Sequence, residues 1–265
     1  MNPLIQIAVA KISEAVQRPG VMSLNGMVME AKCRKAVAAY FEKITQSLDT
    51  LQFARFAVMS KNEGVHGAKV SAEHLVRRNS NLLQDILESH WMEAIQKADK
   101  QKAFHEAEDD FEDVDQVGMS GEEAAKHAKS FAGKAVKSIN ASTVKQIGLA
   151  VEDAIENQLG VSGLSKSLRE LGESFTKVRA DNIARTEMAD AFGFASLEKL
   201  NREGIEYKQL IASPGACETC LSIIDNGPVP VDEPFVDDDG EEYDRSPIHN
   251  NCRCATVGAR APEGE

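Results

Sequence analysis

Five side chains with a taste for metal crowd one end of this sequence: Cys217, Cys220, His249, Cys252 and Cys254. They must be ligated, cross-linked or buried, and each outcome demands a compact local structure. Cys217-Glu218-Thr219-Cys220 follows Ser213-Pro214-Gly215, so the first pair sits on a tight turn where two thiolates converge. His249, Cys252 and Cys254 supply the other half. Zinc is borderline soft and commonly tetrahedral, so four of these five donors close its shell. Cys217, Cys220 and Cys252 are assigned first, and His249 competes with Cys254 for the last place. Disulfides rank lower in a 265-residue chain without a secretion signal, because dense cross-linking belongs to small secreted domains. Buried, unligated thiols are the third reading.

Most of the first two hundred residues read as amphipathic helix, with apolar side chains every three to four positions. Asn2 and Pro3 open one pattern, cap then first-turn proline, which Pro19-Gly20 stops. Met29, Cys33, Val37, Tyr40, Phe41, Ile44, Leu48 and Leu51 mark one face of a second, where Cys33 reads as a small buried side chain. A third is expected over about 72–103, with Leu82, Leu83, Ile86, Leu87, Trp91, Ala94 and Ile95 facing the core. An acidic run from Glu106 to Asp115 then breaks the pattern, and Ser120 with Glu123 reads as a capping box. Ser142 is expected to cap the next helix, followed by one from Gly163 to Leu171 and another over about 176–201. Beyond Gly204 the character changes: Ile205 to Ile211 suits a strand, and Asp239-Gly240 is a hairpin-turn dipeptide.

The expected architecture is mainly α with a small α+β zinc-knuckle segment at the C-terminus, in two regions joined by an acidic linker. Residues 1–105 make the N-terminal helical region, 106–119 the linker, 120–258 the domain with the knuckle, and 259–265 a tail.

Thirty Lys and Arg against 42 Asp and Glu give a net charge of −12, the wrong sign for a chain that coats nucleic acid with its whole surface. Only a local basic patch fits that balance. No apolar run approaches the ~18 residues of a membrane span. A deaminase would need His-x-Glu ahead of Pro-Cys-x-x-Cys, and His-Glu-x-x-His and the phosphate-binding glycine loops are also missing from the sequence. The eight acids between Asp232 and Asp244 lack the alternating order of a calcium loop.

Ile183-Ala184-Arg185-Thr186-Glu187, then a helix, a short strand, Cys217-x-x-Cys220-Leu221, an acidic loop and Ser246-Pro247-Ile248-His249-Asn250-Asn251-Cys252-Arg253-Cys254 make an ordered set. This set resembles the Mu F-like phage head morphogenesis family, over roughly Gly121 to Gly258. Ser246-Pro247 stands where the family often has a double proline. The resemblance implies a minor head protein of a phage or prophage that is not an enzyme, made in the host cytoplasm and placed in the virion, in the head interior or at the portal vertex. Implied partners are the portal protein, capsid or scaffold proteins, and packaged DNA without sequence specificity, with no membrane. The implied role is head assembly or DNA packaging and delivery, and the Cys/His donors by themselves point to Zn2+ as a structural ion. The alternatives are a zinc-dependent nuclease, protease or toxin-like transferase, or a zinc-knuckle nucleic-acid-binding module. Arg185-Thr186-Glu187 point in successive directions around a helix, so Arg185 is expected to pair with an acid elsewhere and Glu187 to cap or pair a neighbouring loop.

Overall fold

Apolar periodicity sets up three long helices, α1 (Leu24–Leu48), α2 (Lys61–Asp99) and α3 (Gly121–Glu156). α4 (Gly160–Ser174) runs through a π-helical turn at Phe175–Arg179 into α5 (Ala180–Arg202). The chain continues as β1 (Tyr207–Ile211), α6 (Glu218–Asp225), β2 (Val229–Pro230), β3 (Phe235–Val236), β4 (Glu242–Tyr243) and β5 (Ala255–Ala259). This computed structural model describes residues 24–48, 53, 56, 59–99 and 119–261. The expected helix at 2–19 and, apart from Met119, the acidic linker at 106–119 lie outside them. The protein is mainly helical with a small sheet near the C-terminus. No described helix is long and apolar enough to cross a membrane. Two compact units divide the chain, one of residues 32–90 and 125–184, the other of 1–31, 91–124 and 185–265.

In the first unit Cys33, Val37, Tyr40, Phe41, Ile44 and Leu48 are buried along α1, as their spacing implied. Tyr40 Oη donates to Asn140 Oδ1 at 3.3 Å and Asn140 Nδ2 donates to Ser80 Oγ at 2.8 Å, so one polar chain ties three helices. Burial pushes the Tyr40 hydroxyl up to about 12, with the Arg179 charge acting against it. Arg179 stacks on Phe41 and Phe175, at 5.0 and 4.7 Å, and donates to the Ile139 carbonyl and to the hydroxyls of Ser142 and Thr143.

Two expectations are corrected in this unit, the first by that clamp. Ser142 is no cap: α3 runs through it, its hydroxyl bonding back to the Ile139 carbonyl while accepting from Arg179. α2 begins at Lys61 and not near 72, and its first turns hold Gly64 and Gly67 where space is short: a Cβ at Gly64 would lie 2.7 Å from the Phe56 carbonyl oxygen, and one at Gly67 would lie 2.6 Å from the Phe56 ring. Leu82, expected inside, is exposed, while Leu83 and Leu87 are buried.

The second unit holds the sheet. Its strand order is β2-β1-β5, antiparallel throughout, with Tyr207 opposite both Pro230 and Ala259, and Ile211 opposite Ala255. β3 and β4 form the hairpin across Asp239-Gly240. Asp237 organises it: Oδ1 accepts the backbone N–H groups of Asp239 and Glu241, at 3.0 and 2.9 Å, and Oδ2 accepts the Tyr243 hydroxyl at 3.1 Å. Lys208 is buried on β1, donating to the Asp244 carbonyl at 2.7 Å above the Phe235 ring, and burial lowers its pKa. Arg245 pins the following loop to α5 through the Asp190 carboxylate and carbonyl. The Ser246-Pro247 peptide bond is cis. Ser246 and Thr256 satisfy each other, N–H to hydroxyl in both directions.

Gly193 of α5 lets that loop approach, since a Cβ there would lie 2.0 Å from the Ser246 carbonyl oxygen. Backbone cannot yield as a side-chain tip does. Gly193→Ala is expected to cost about 1–3 kcal/mol by overpacking, read as a lowered melting temperature, whereas Ala195→Gly should show no such clash.

Candidate metal centre

Sheet register brings the two halves of the cysteine cluster together. Ile211 leads out of β1 into the Ser213 turn, and Ala255, its partner across the sheet, directly follows Cys254. Ala216 N–H donates to the Ser213 carbonyl at 3.0 Å, with Gly215 at φ +80°, the position that favours glycine in such turns. This tight turn delivers Cys217 to the start of α6 and Cys220 to its first turn. On the other side Cys252 N–H donates to the His249 carbonyl at 3.0 Å, with Asn251 left-handed at φ +63°, a conformation asparagine tolerates.

All five expected donors meet, in two triads that share Cys220. Donor atoms of Cys217, Cys220 and His249 lie within 4.8 Å of one another, and so do those of Cys220, Cys252 and Cys254. Cys220, Cys252 and Cys254 are buried with Leu210, Ile223, Phe235 and Ile248, so the thiols sit inside the core of this small unit. Cys217 and His249 are on the solvent side. Among the described residues all five cysteines are free thiols, and Cys33 is buried far from the cluster in sequence.

Single edges of the cluster compare with those of a tetrahedral ion, while the donors group as two triads and no four of them lie mutually within 4.8 Å. Zinc–sulfur and zinc–nitrogen bonds of ~2.3 and ~2.05 Å imply sulfur–sulfur edges of ~3.8 Å and sulfur–nitrogen edges of ~3.6 Å. Cys220 Sγ is 3.7 Å from Cys252 Sγ and 3.5 Å from His249 Nε2, while Cys217 Sγ is 3.1 Å from the same nitrogen. His249 Nδ1 lies 2.8 Å from the Asn250 carbonyl, the backbone bond that makes Nδ1 the protonated nitrogen and leaves the Nε2 lone pair facing the thiols. Cys254 Sγ also lies 4.0 Å from Ser213 Oγ.

Ionisation is unequal across the cluster. The Cys254 thiol draws Cys252 down to about 5, while burial pushes Cys220 up to about 12. The Cys252 thiolate beside Cys254 raises the pKa of Cys254, and the Cys220 backbone amide lowers that of Cys217. Burial acts against a charged His249, yet the Asn250 carbonyl and the neighbouring thiolates outweigh it and raise its pKa. Thiolates this close repel one another, and a cation relieves that repulsion.

α5 holds the second triad from behind. Asn251 N–H donates to Thr186 Oγ1 at 3.1 Å, and Arg185 Nη1 donates to Asn251 Oδ1 at 3.4 Å. Arg185 also makes the expected ion pair, with Glu30 at 3.5 Å, and Glu30 reaches Arg253 at 3.6 Å. Glu187 differs from expectation: it accepts the Trp91 indole N–H at 3.1 Å instead of serving a loop. Thr186, Asn251 and Glu30 were not legible as partners of the cluster, because isolated polar residues carry no spacing signal. Thr186→Val is expected to speed metal loss to a chelator by roughly 10–100-fold, as for other outer-shell ligand supports, with Thr186→Ser restoring retention.

Residues 145–257 match the family model described as Phage Mu protein F like protein. This stretch is similar to Phage Mu protein F like proteins. It runs from the second half of α3 into β5 and encloses all five donors together with Arg185, Thr186 and Asn251. No curated protein and no solved structure matches the chain. Its resemblance through the Arg-Thr-Glu and Cys/His segments thus agrees with the family model.

Proposed function

We propose that the chain is a minor head protein of a phage or prophage, associating with the portal and procapsid and supporting head assembly or DNA packaging and delivery. The carrying observation is the match to the Mu F-like family model, over a stretch that places Cys220, Cys252 and Cys254 in one small core beside Leu210, Ile223, Phe235 and Ile248. A structural Zn2+ held by Cys217, Cys220, Cys252 and either His249 or Cys254 serves this reading, since small cores commonly need a metal or disulfide staple. The five protein donors are more than a four-coordinate ion requires, whereas a catalytic zinc keeps a position for water. No Asp or Glu joins either triad among the described residues. These features favour a scaffold over a hydrolase.

Co-expression with the portal protein of the same phage, followed by size exclusion, tests the assignment. The full chain is expected to co-elute with the portal, or with procapsids. Failure to associate with either, combined with zinc-dependent cleavage of DNA or peptide that Cys220→Ser abolishes, would replace it with the enzyme reading.

A further inference from the structure

Charge is divided very unevenly between the two units. Residues 32–90 and 125–184 carry 18 Lys and Arg against 12 Asp and Glu, while the rest of the chain carries 12 against 30. A protein of net charge −12 therefore contains a unit of positive charge, and α3 concentrates it. Between Glu123 and Glu152 this helix has no acidic residue, yet it has Lys126, Lys129, Lys134, Lys137 and Lys145, all exposed. At 100° per residue they fall within an arc of about 160°, and they extend over about 28 Å of helix. Ala128, Ala132, Val136, Ile139 and Ile147 occupy the buried side. None of the five lysines makes an ion pair with a described carboxylate. Lys134 lies over the Phe131 ring, 5.4 Å from its centre. Lys69 of α2 extends the row, its stem crossing α3 at Gly148, where a Cβ would meet Lys69 Cε at 2.7 Å. The row stops where Lys61 is neutralised by Glu152 and Glu156.

We propose that this lysine face of α3, with Lys69, binds the phosphate backbone of double-stranded nucleic acid without reading its sequence. Lysine is a point charge without the planar fork that arginine offers to base edges, so the face suits backbone contact and not base readout. Ser130, Ser138 and Ala141, the exposed residues between the lysines, are small enough to let a broad duplex approach. A protein partner would call for other chemistry, because interface cores are depleted in lysine and anchored by aromatic and arginine side chains. The inference is carried by this charge pattern and deepens the proposed role in DNA packaging and delivery by assigning it a surface, while the salt series below tests that surface separately from portal association.

The test is fluorescence anisotropy of the full chain on a mixed-sequence DNA duplex across a salt series. Each neutralised phosphate contributes a slope of about −0.9 in log K against log salt, so five or six contacts give about −5 and roughly a thousandfold loss of affinity between 50 and 200 mM. Replacing Lys126, Lys129, Lys134, Lys137 and Lys145 together by glutamine is expected to flatten that slope to near −1. Single changes Lys129→Gln and Lys137→Gln should each remove about 0.9, a readout that survives if the fivefold variant folds poorly. Lys166→Gln with Lys177→Gln, whose lysines already pair with Glu170 and Glu173, should leave binding unchanged. Absence of binding, a slope unaltered by the α3 changes, or displacement of the duplex by poly-glutamate at equal charge concentration would overturn the proposal, the last in favour of an acidic protein partner.

Discussion

Cys220→Ser is expected to abolish metal retention and to unfold the C-terminal segment while the helical unit of residues 32–90 and 125–184 keeps its helicity. Cys220 is the one donor common to both triads, and it is fully buried in the core with Ile223, Phe235 and Ile248. A serine oxygen there has shorter reach and poor affinity for a soft-leaning ion, so the remaining donors face one another without a bridge. Because metal affinity in such a site is folding energy, the cost should exceed about 4 kcal/mol, beyond most point substitutions. Elemental analysis reads the metal, and hydrogen exchange over 205–261 reads the unfolding. Acid and chelators should act in the same direction, since protons and competing ligands oppose thiolate ligation. Cys33→Ala is the control. That side chain is buried in the α1 stripe, so its loss should cost about 1–2 kcal/mol through packing and leave the metal content unchanged.

The second large effect is a pH dependence centred on Glu187. Burial raises its carboxyl to about 7, the Trp91 indole N–H opposing that rise and the Asp190 charge adding to it. A carboxyl with a folded-state pKa above its unfolded value binds more protons when folded. Stability is therefore greatest below about pH 4.5 as far as this group is concerned, and it falls as pH rises from there through about 7. The loss amounts to about 2 kcal/mol once the residual solvent contact of the side chain is allowed for. Glutamine mimics the protonated form and keeps an acceptor for the indole. Glu187→Gln is expected to melt higher than wild type at pH 8, with the difference shrinking as pH falls and gone below about pH 4.5. Trp91 is the single tryptophan, so its fluorescence should titrate near pH 7 in the wild type and stay flat in the variant. A pH-independent difference in melting temperature would show that Glu187 does not titrate in this window.

Local signals in the sequence were dependable where their causes were local. The Ser120–Glu123 capping box forms in both directions, Glu123 N–H donating to Ser120 Oγ at 3.2 Å and Ser120 N–H to Glu123 Oε2 at 3.2 Å. The Asp239-Gly240 turn and the Ser213-Pro214-Gly215 turn also form where residue chemistry alone put them. Errors arose where a distant partner decided the outcome. Ser142 carries a cap signature, but Arg179 and the Ile139 carbonyl claim its hydroxyl, and that arginine is supplied by another helix. The gap expected between Leu171 and Thr176 is closed by the π-helical turn, in which Ala180 N–H reaches the Phe175 carbonyl. The Cys/His cluster was visible in the sequence because metal ligation restricts both residue type and spacing. Their supports on α5 were not, because a threonine holding a loop amide looks like any other threonine.

The most direct measurement on the metal centre is X-ray absorption at the zinc edge of the purified full chain, paired with elemental analysis. One zinc per chain is expected, four-coordinate, with sulfur ligands at ~2.3 Å, all sulfur or with a single nitrogen at ~2.0–2.1 Å, and no exchangeable water. A metal-free protein that keeps its C-terminal fold and free thiols, or a zinc with an oxygen ligand from solvent, would contradict a closed structural site.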